Sequence, residues 1–193
     1  MNRDSIIYLL DTSAIITPFH GGQLRALGLA LGHQSILETR VWLQSWFRKG
    51  FSSGILVLAQ EVYEEVVKNR KKDREEKLLL KSLKENRKIK FLQPTNDTFQ
   101  VLESIHEFVS AHYQPHQAED FLQQVDPWLI ALAKTYRATL VAEERHFIPQ
   151  ADLNKNQIQG NPHLPFIAWV FKVKCIGLLP ALLEVSQKIT SSK

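Results

Sequence analysis

Cysteine occurs once in the 193 residues, and its scarcity excludes several classes at the outset. A lone thiol, Cys175, closes no internal disulfide, and without a second cysteine there is no paired-thiolate zinc site. A reducing cytoplasm is the expected setting. In the run Val173-Lys174-Cys175-Ile176 the thiol reads as a small buried core residue. No apolar run nears the roughly 20 residues that span a bilayer. The apolar stretch near the N-terminus stops at Asp11, too short for a secretory signal, so no membrane association is expected. Internal repeats are missing. Neither charge sign dominates: 24 Lys and Arg face 20 Asp and Glu, a net +4 with a pI near 9.2. That balance permits a nucleic-acid partner without requiring one.

What remains is an ordinary globular composition, 44% hydrophobic and 23% charged, of a length suited to one domain over residues 1–193. Ile6-Ile7-Tyr8-Leu9-Leu10 is a continuous apolar run ending at an acid, as expected of a buried strand in a parallel sheet. Gly54 to Leu58, Ala138 to Ala142 and Val173 to Ile176 read the same way. Helical patterns fill the intervals. Ser35 with Glu38 forms a capping-box pattern that opens a helix through Trp42 and Trp46 to about Gly50, both tryptophans facing the core. Val62 and Val66 mark a second helix, Thr98 to His112 a third, Asp126 to about Arg137 a fourth. Phe166 to Phe171 is a short apolar helix, and Pro180 opens a last one. Gly21-Gly22 reads as punctuation, and Pro115 as a break that keeps His112 and His116 off one face. Alternating strands and helices predict an α/β fold, a three-layer sandwich around a mainly parallel sheet of about four strands.

Ligands of open α/β sheets bind beyond the carboxyl ends of the strands. Asp11 follows the first strand, and Glu143-Glu144 follow the third. Asp126 opens the helix that leads into the third strand, and Glu64-Glu65 lie in the helix after the second. Two carboxylates about 4 Å apart repel by ~4 kcal/mol at an effective dielectric of ~20. Gathering three or four therefore calls for divalent cations, and an all-oxygen set points to Mg²⁺ or Mn²⁺. Such ions polarise phosphodiesters. Taken singly each acid has a plainer reading: Asp11 and Asp126 as helix N-caps, Glu65 as solvated helix surface, Glu143 and Glu144 as loop residues.

The segments that carry these acids resemble the PIN-domain family of metal-dependent ribonucleases. Tyr8-Leu9-Leu10-Asp11-Thr12-Ser13 looks like the family's opening strand and first aspartate. Leu58-Ala59 through Glu65-Val66 resembles its second strand and glutamate-bearing helix, Asp126-Pro127-Trp128-Leu129-Ile130-Ala131 its third acidic segment, and Ala138 to Glu144 the strand that ends in its last acid. The resemblance implies an Mg²⁺- or Mn²⁺-dependent endoribonuclease. Asp11, Asp126 and Glu144 would hold the metal, with Glu65 completing the catalytic set and Ser13 a supporting or phosphate-contacting hydroxyl. Glu143 and Glu64 stand as rivals of their neighbours. Glu144 replaces the family's usual aspartate and Ala142 a common hydroxyl residue. Those two departures leave open a catalytically inactive RNA-binding or protein-interaction module. Many relatives are toxins paired with a small antitoxin protein, and dimers are common, so both an antitoxin and a homodimer enter as partners beside RNA. A phosphotransfer domain with Asp11 as nucleophile is the weakest alternative, because Ser13 stands where the common phosphatase pattern wants a second aspartate.

Lys68 to Lys90 holds eleven Lys or Arg against four Asp or Glu, net +7. It reads either as an RNA-tracking surface, with Arg70, Lys71, Lys72 and Arg74 foremost, or as a solvated helix whose lysine stems cover apolar surface.

Overall fold

In a computed structural model, residues 6–69, 74–144 and 158–191 are described. The chain opens on β1 (Tyr8–Leu10), whose three residues are fully buried, then passes through Asp11 into α1 (Thr12–Ile16) and a 3-10 turn (Thr17–Phe19). Next come α2 (Gly21–Leu31) and α3 (Ile36–Ser52), followed by β2 (Leu56–Val57), α4 (Gln60–Asn69), α5 (Glu75–Glu85), α6 (Asn96–His112), α7 (Pro115–Leu122) and α8 (Asp126–Tyr136). β3 (Thr139–Val141), α9 (Leu164–Val170), β4 (Cys175–Ile176) and α10 (Leu178–Ser191) complete the described elements.

The four strands form one parallel sheet in the order β2-β1-β3-β4. β1, β2 and β3 are buried throughout, as strands covered by helices on both faces must be. The fold is thus a three-layer α/β sandwich, as the alternation of apolar runs and helical patterns requires. The register aligns Leu10 with Val141 and Val141 with Ile176, so the carboxyl ends of β1, β3 and β4 lie level. The Asp11 N–H donates to the Val141 carbonyl at 2.9 Å, and the Ala142 N–H to that of Ile176 at 3.1 Å. From β1 the chain builds β2 on one side and β3 on the other. That reversal opens a crevice at the carboxyl ends of β1 and β3, where α/β sheets bind ligands.

Several local expectations change. The segment after Gly21-Gly22 is a helix, α2, with both glycines in its first turn and Gly32 closing it at φ +73°. Pro115 interrupts no helix. It starts α7, where its missing N–H costs nothing, and it leaves His112 at the end of α6 and His116 exposed on another helix. The Ser35 cap forms, accepting from the Glu38 N–H at 3.1 Å, but Glu38 reaches back to the Gln34 N–H at 2.8 Å rather than to Ser35. α10 begins at Leu178, two residues before Pro180. Trp46 is buried and Trp42 packs half-buried against the core. Cys175 is half-buried, because β4 is the edge strand. Among the described residues no helix is long and apolar enough to cross a membrane.

Candidate active site

Asp11 is 93% shielded at the carboxyl end of β1, for its relative exposure is 7%. Its extended backbone lets Oδ2 accept from the Ser13 N–H at 3.0 Å, so it does cap α1. The same oxygen accepts from the Ser13 hydroxyl at 2.5 Å, and the Ser13 Oγ in turn accepts from the Glu143 N–H at 2.9 Å. Ser13 therefore ties the end of β1 to the end of β3. Oδ1 of Asp11 has no partner among the described residues.

α1 packs against α4, and the Thr12 hydroxyl donates to Glu65 Oε2 at 2.6 Å. The neighbouring Glu64 is occupied on its own helix, accepting from the Gln60 amide at 3.0 Å and pairing with Lys68. The two glutamates thus face different surroundings. The same separation holds after β3. Glu143 Oε1 accepts from the Leu178 N–H at 2.5 Å, satisfying a donor in the first turn of α10, whereas Glu144 accepts from the Leu164 N–H. Glu65 and Glu144 line the crevice; neither Glu64 nor Glu143 does.

Asp126 departs from its expected role as an N-cap. Val125 occupies the cap position with helical backbone angles (φ −75°, ψ −19°), and no side chain caps α8. A capping side chain needs extended backbone at its own residue, and Asp126 already lies in the first turn. Its carboxylate is left to face the crevice instead. Asp11, Glu65, Asp126 and Glu144 all line one cavity of about 700 Å³, together with Thr12, Ser13 and His20. Asp126 and Glu144 also line an adjoining cavity of about 880 Å³.

Electrostatics register the convergence. Burial, and then the charges of Asp11, Glu144 and Glu65, push the Asp126 carboxyl up from 3.8 to about 7. Glu144 is raised by burial and by Asp11, against the Leu164 N–H that lowers it. The Cys175 thiol is pushed up to about 12 by burial and by the charges of Glu144, Asp11 and Asp126. Among the described residues no Lys or Arg lines either cavity. Partial positive charge from the N-terminus of α8 offsets about 0.3–1 kcal/mol of this repulsion and leaves most of it standing.

An uncompensated cluster of oxygen ligands suits a hard divalent cation in kind. In placement it is looser: among the described residues no group of three or more His, Cys, Asp or Glu side chains forms a ready metal cage. Ser13, Thr12 and the Leu164 N–H each engage one of the acids.

The profile of the family described as "Domain of unknown function (DUF4411)" matches residues 37–188. The chain belongs to that family. Within the DUF4411 match lie Glu65, Asp126 and Glu144; Asp11 and Ser13 precede it. No curated protein and no solved structure matches the chain.

Of the basic residues expected to bind RNA, Arg74 is exposed at the start of α5 and lines neither cavity, while Arg70, Lys71 and Lys72 lie outside the described residues. Within α5 itself Leu79, Leu80 and Leu83 are buried, and Lys77 with them, which fits the covering role of lysine stems. Sequence reading missed the polar wall of the larger cavity, to which Gln117, Asp120, Gln124, Asn161 and His163 contribute. The signal was Pro115: read as a helix start, it would have shown α7 leading into the Gln123-Gln124 pair before Asp126.

Proposed function

We propose that this DUF4411 protein is a metal-dependent endoribonuclease of the PIN type, hydrolysing RNA phosphodiester bonds at Asp11, Glu65, Asp126 and Glu144 with Mg²⁺ or Mn²⁺. One observation carries the reading: Asp11, Glu65, Asp126 and Glu144, from four separate parts of the chain, line one crevice, with Asp126 freed from capping. A cation bound in the working state would neutralise this cluster, and clefts with mutually perturbed carboxylates mark candidate functional sites.

A divalent ion bound there supplies polarisation of the phosphodiester and a water of lowered pKa. The chain's own residues hold and orient. Asp11 offers a buried carboxylate and Asp126 a half-buried one, and Glu144, steadied by the Leu164 N–H, adds a third from the end of β3. Glu65 is oriented by Thr12 and Asp11 by Ser13. Both hydroxyls act by fixing rotamers. As the toxin of a toxin–antitoxin pair, the protein would be silenced by a small partner that covers this crevice.

The test is cleavage of single-stranded RNA by purified protein with Mg²⁺ or Mn²⁺, beside Asp11→Asn. Asparagine caps α1 as well as aspartate does, so the variant keeps its fold. Metal-dependent cleavage lost in Asp11→Asn supports the reading; equal cleavage by both proteins refutes it. A catalytically silent RNA-binding module is the second reading, favoured by the absence of a ready metal cage among the described residues. RNA binding without cleavage under all metal conditions selects it.

A further inference from the structure

The two cavities share Gln123, Gln124, Asp126 and Glu144, yet their remaining walls differ in chemistry. One holds the acids Asp11 and Glu65. The other, about 880 Å³, continues past Asp126 between α7 and the segment leading into α9. Among the described residues its polar wall includes Gln117, Asp120, Gln124, Asn161 and His163, over an apolar floor of buried Phe121 and Pro162. Gln123 is engaged, since its amide donates to Glu119 at 3.1 Å. Gln117, Gln124 and Asn161 make no side-chain hydrogen bond among the described residues.

Among the described residues this wall carries no Lys or Arg, so it offers no full positive charge to a phosphate backbone. Each free carboxamide instead presents a donor and an acceptor side by side, the complement of a base edge. The volume lies within the ~300–1,000 Å³ of small-ligand sites. We infer that this second cavity is a nucleobase-reading subsite, taking the unpaired base beside the phosphate held at the acidic crevice. The position of that phosphate rests on the ribonuclease reading; the chemistry of the wall does not. A base must be unpaired to offer its Watson–Crick edge to side chains. Asp120 accepts hydrogen bonds and donates none when ionised, so it favours a base with an exocyclic amino group. Adenine and cytosine present an amino donor beside a ring acceptor, and uracil has no amino group.

The experiment reads binding apart from cleavage. Labelled rA10, rC10 and rU10 are titrated by fluorescence anisotropy with the full chain carrying Asp126→Asn, which removes a negative charge and the proposed cleavage together. We expect rA10 and rC10 to bind at least tenfold tighter than rU10. Adding Gln117→Ala, Asp120→Ala, Gln124→Ala and Asn161→Ala should bring the ratio below threefold. Asp120→Asn, which keeps size and adds a donor that the uracil O4 can accept, should lower the ratio as well and covers a folding defect in the multiple variant. Equal binding of the three oligomers by the parent, or a ratio untouched in both variant sets, overturns the subsite. Base preference without metal-dependent cleavage in the wild type removes the ribonuclease reading and upholds the subsite; cleavage without base preference does the reverse.

Discussion

Replacing Asp126 by asparagine should stabilise the metal-free protein while removing its proposed activity. Folding raises the Asp126 carboxyl from 3.8 to about 7, so between those values the folded chain holds a proton that the unfolded chain has released. Stability therefore falls as pH rises through that window. The full penalty stands above about pH 7 and vanishes below about pH 4. A shift of about three units corresponds to at most ~4 kcal/mol at 1.36 kcal/mol per unit. Asparagine keeps the shape and part of the desolvation cost, which leaves a gain of ~2–4 kcal/mol near pH 8. For a chain of this size that raises Tm by roughly 5–15 °C. Thermal unfolding in EDTA near pH 8 and near pH 4 reads it directly: Asp126→Asn should unfold well above wild type at the higher pH and close to it at the lower. Equal stability near pH 8, or a destabilised variant there, refutes the claim that Asp126 carries uncompensated charge against Asp11, Glu144 and Glu65.

Ser13→Ala removes the hydroxyl that joins Asp11 Oδ2 to the Glu143 N–H; urea unfolding should show a loss of ~1–3 kcal/mol, with RNA cleavage lowered several-fold. Glu143→Ala leaves the Leu178 N–H without its acceptor and should cost ~0.5–2 kcal/mol with cleavage intact, whereas Glu144→Gln should lower cleavage at little cost in stability. If the two glutamates exchange those phenotypes, their roles are reversed. Gly50→Ala places a Cβ 2.5 Å from Leu56 Cδ1, where α3 crosses β2, and overpacking there should cost ~1–3 kcal/mol by the same urea assay.

Much of the sheet was readable because each buried strand is a continuous apolar run, although the paired segments are shorter than the runs: Tyr8–Leu10 from Ile6 to Leu10, and Leu56–Val57 from Gly54 to Leu58. Strand order was not readable. Pairings such as Tyr8 with Thr139 join residues far apart in the chain, and periodicity reports only local structure. Yet that order decides the site, since it sets Asp11 level with Ala142 and opens the crevice between β1 and β3. Asp126 shows a subtler limit. Asp-Pro is a sound helix-start signal, and α8 does start there, but whether Asp126 caps or projects depends on the backbone angles of Val125, which residue type does not fix. The glycine pair at 21–22 and Pro115 read as breaks because both residue types punctuate; at the first turn of a helix they are tolerated. Glu64 and Glu65 differ by one position, a rotation of about 100° on the helix. The placement of Lys68 and Thr12, and the crevice that Glu65 lines and Glu64 does not, tell them apart.

The most direct measurement is a calorimetric titration of Mn²⁺ into wild-type protein and into Asp11→Asn, at about pH 6 and about pH 8. We expect saturable binding by the wild type, tighter at the higher pH because protons no longer compete at Asp126, and at least tenfold weaker binding by the variant. No saturable uptake, or the same affinity in both proteins, would show that the four carboxylates share a crevice for some purpose other than holding a cation.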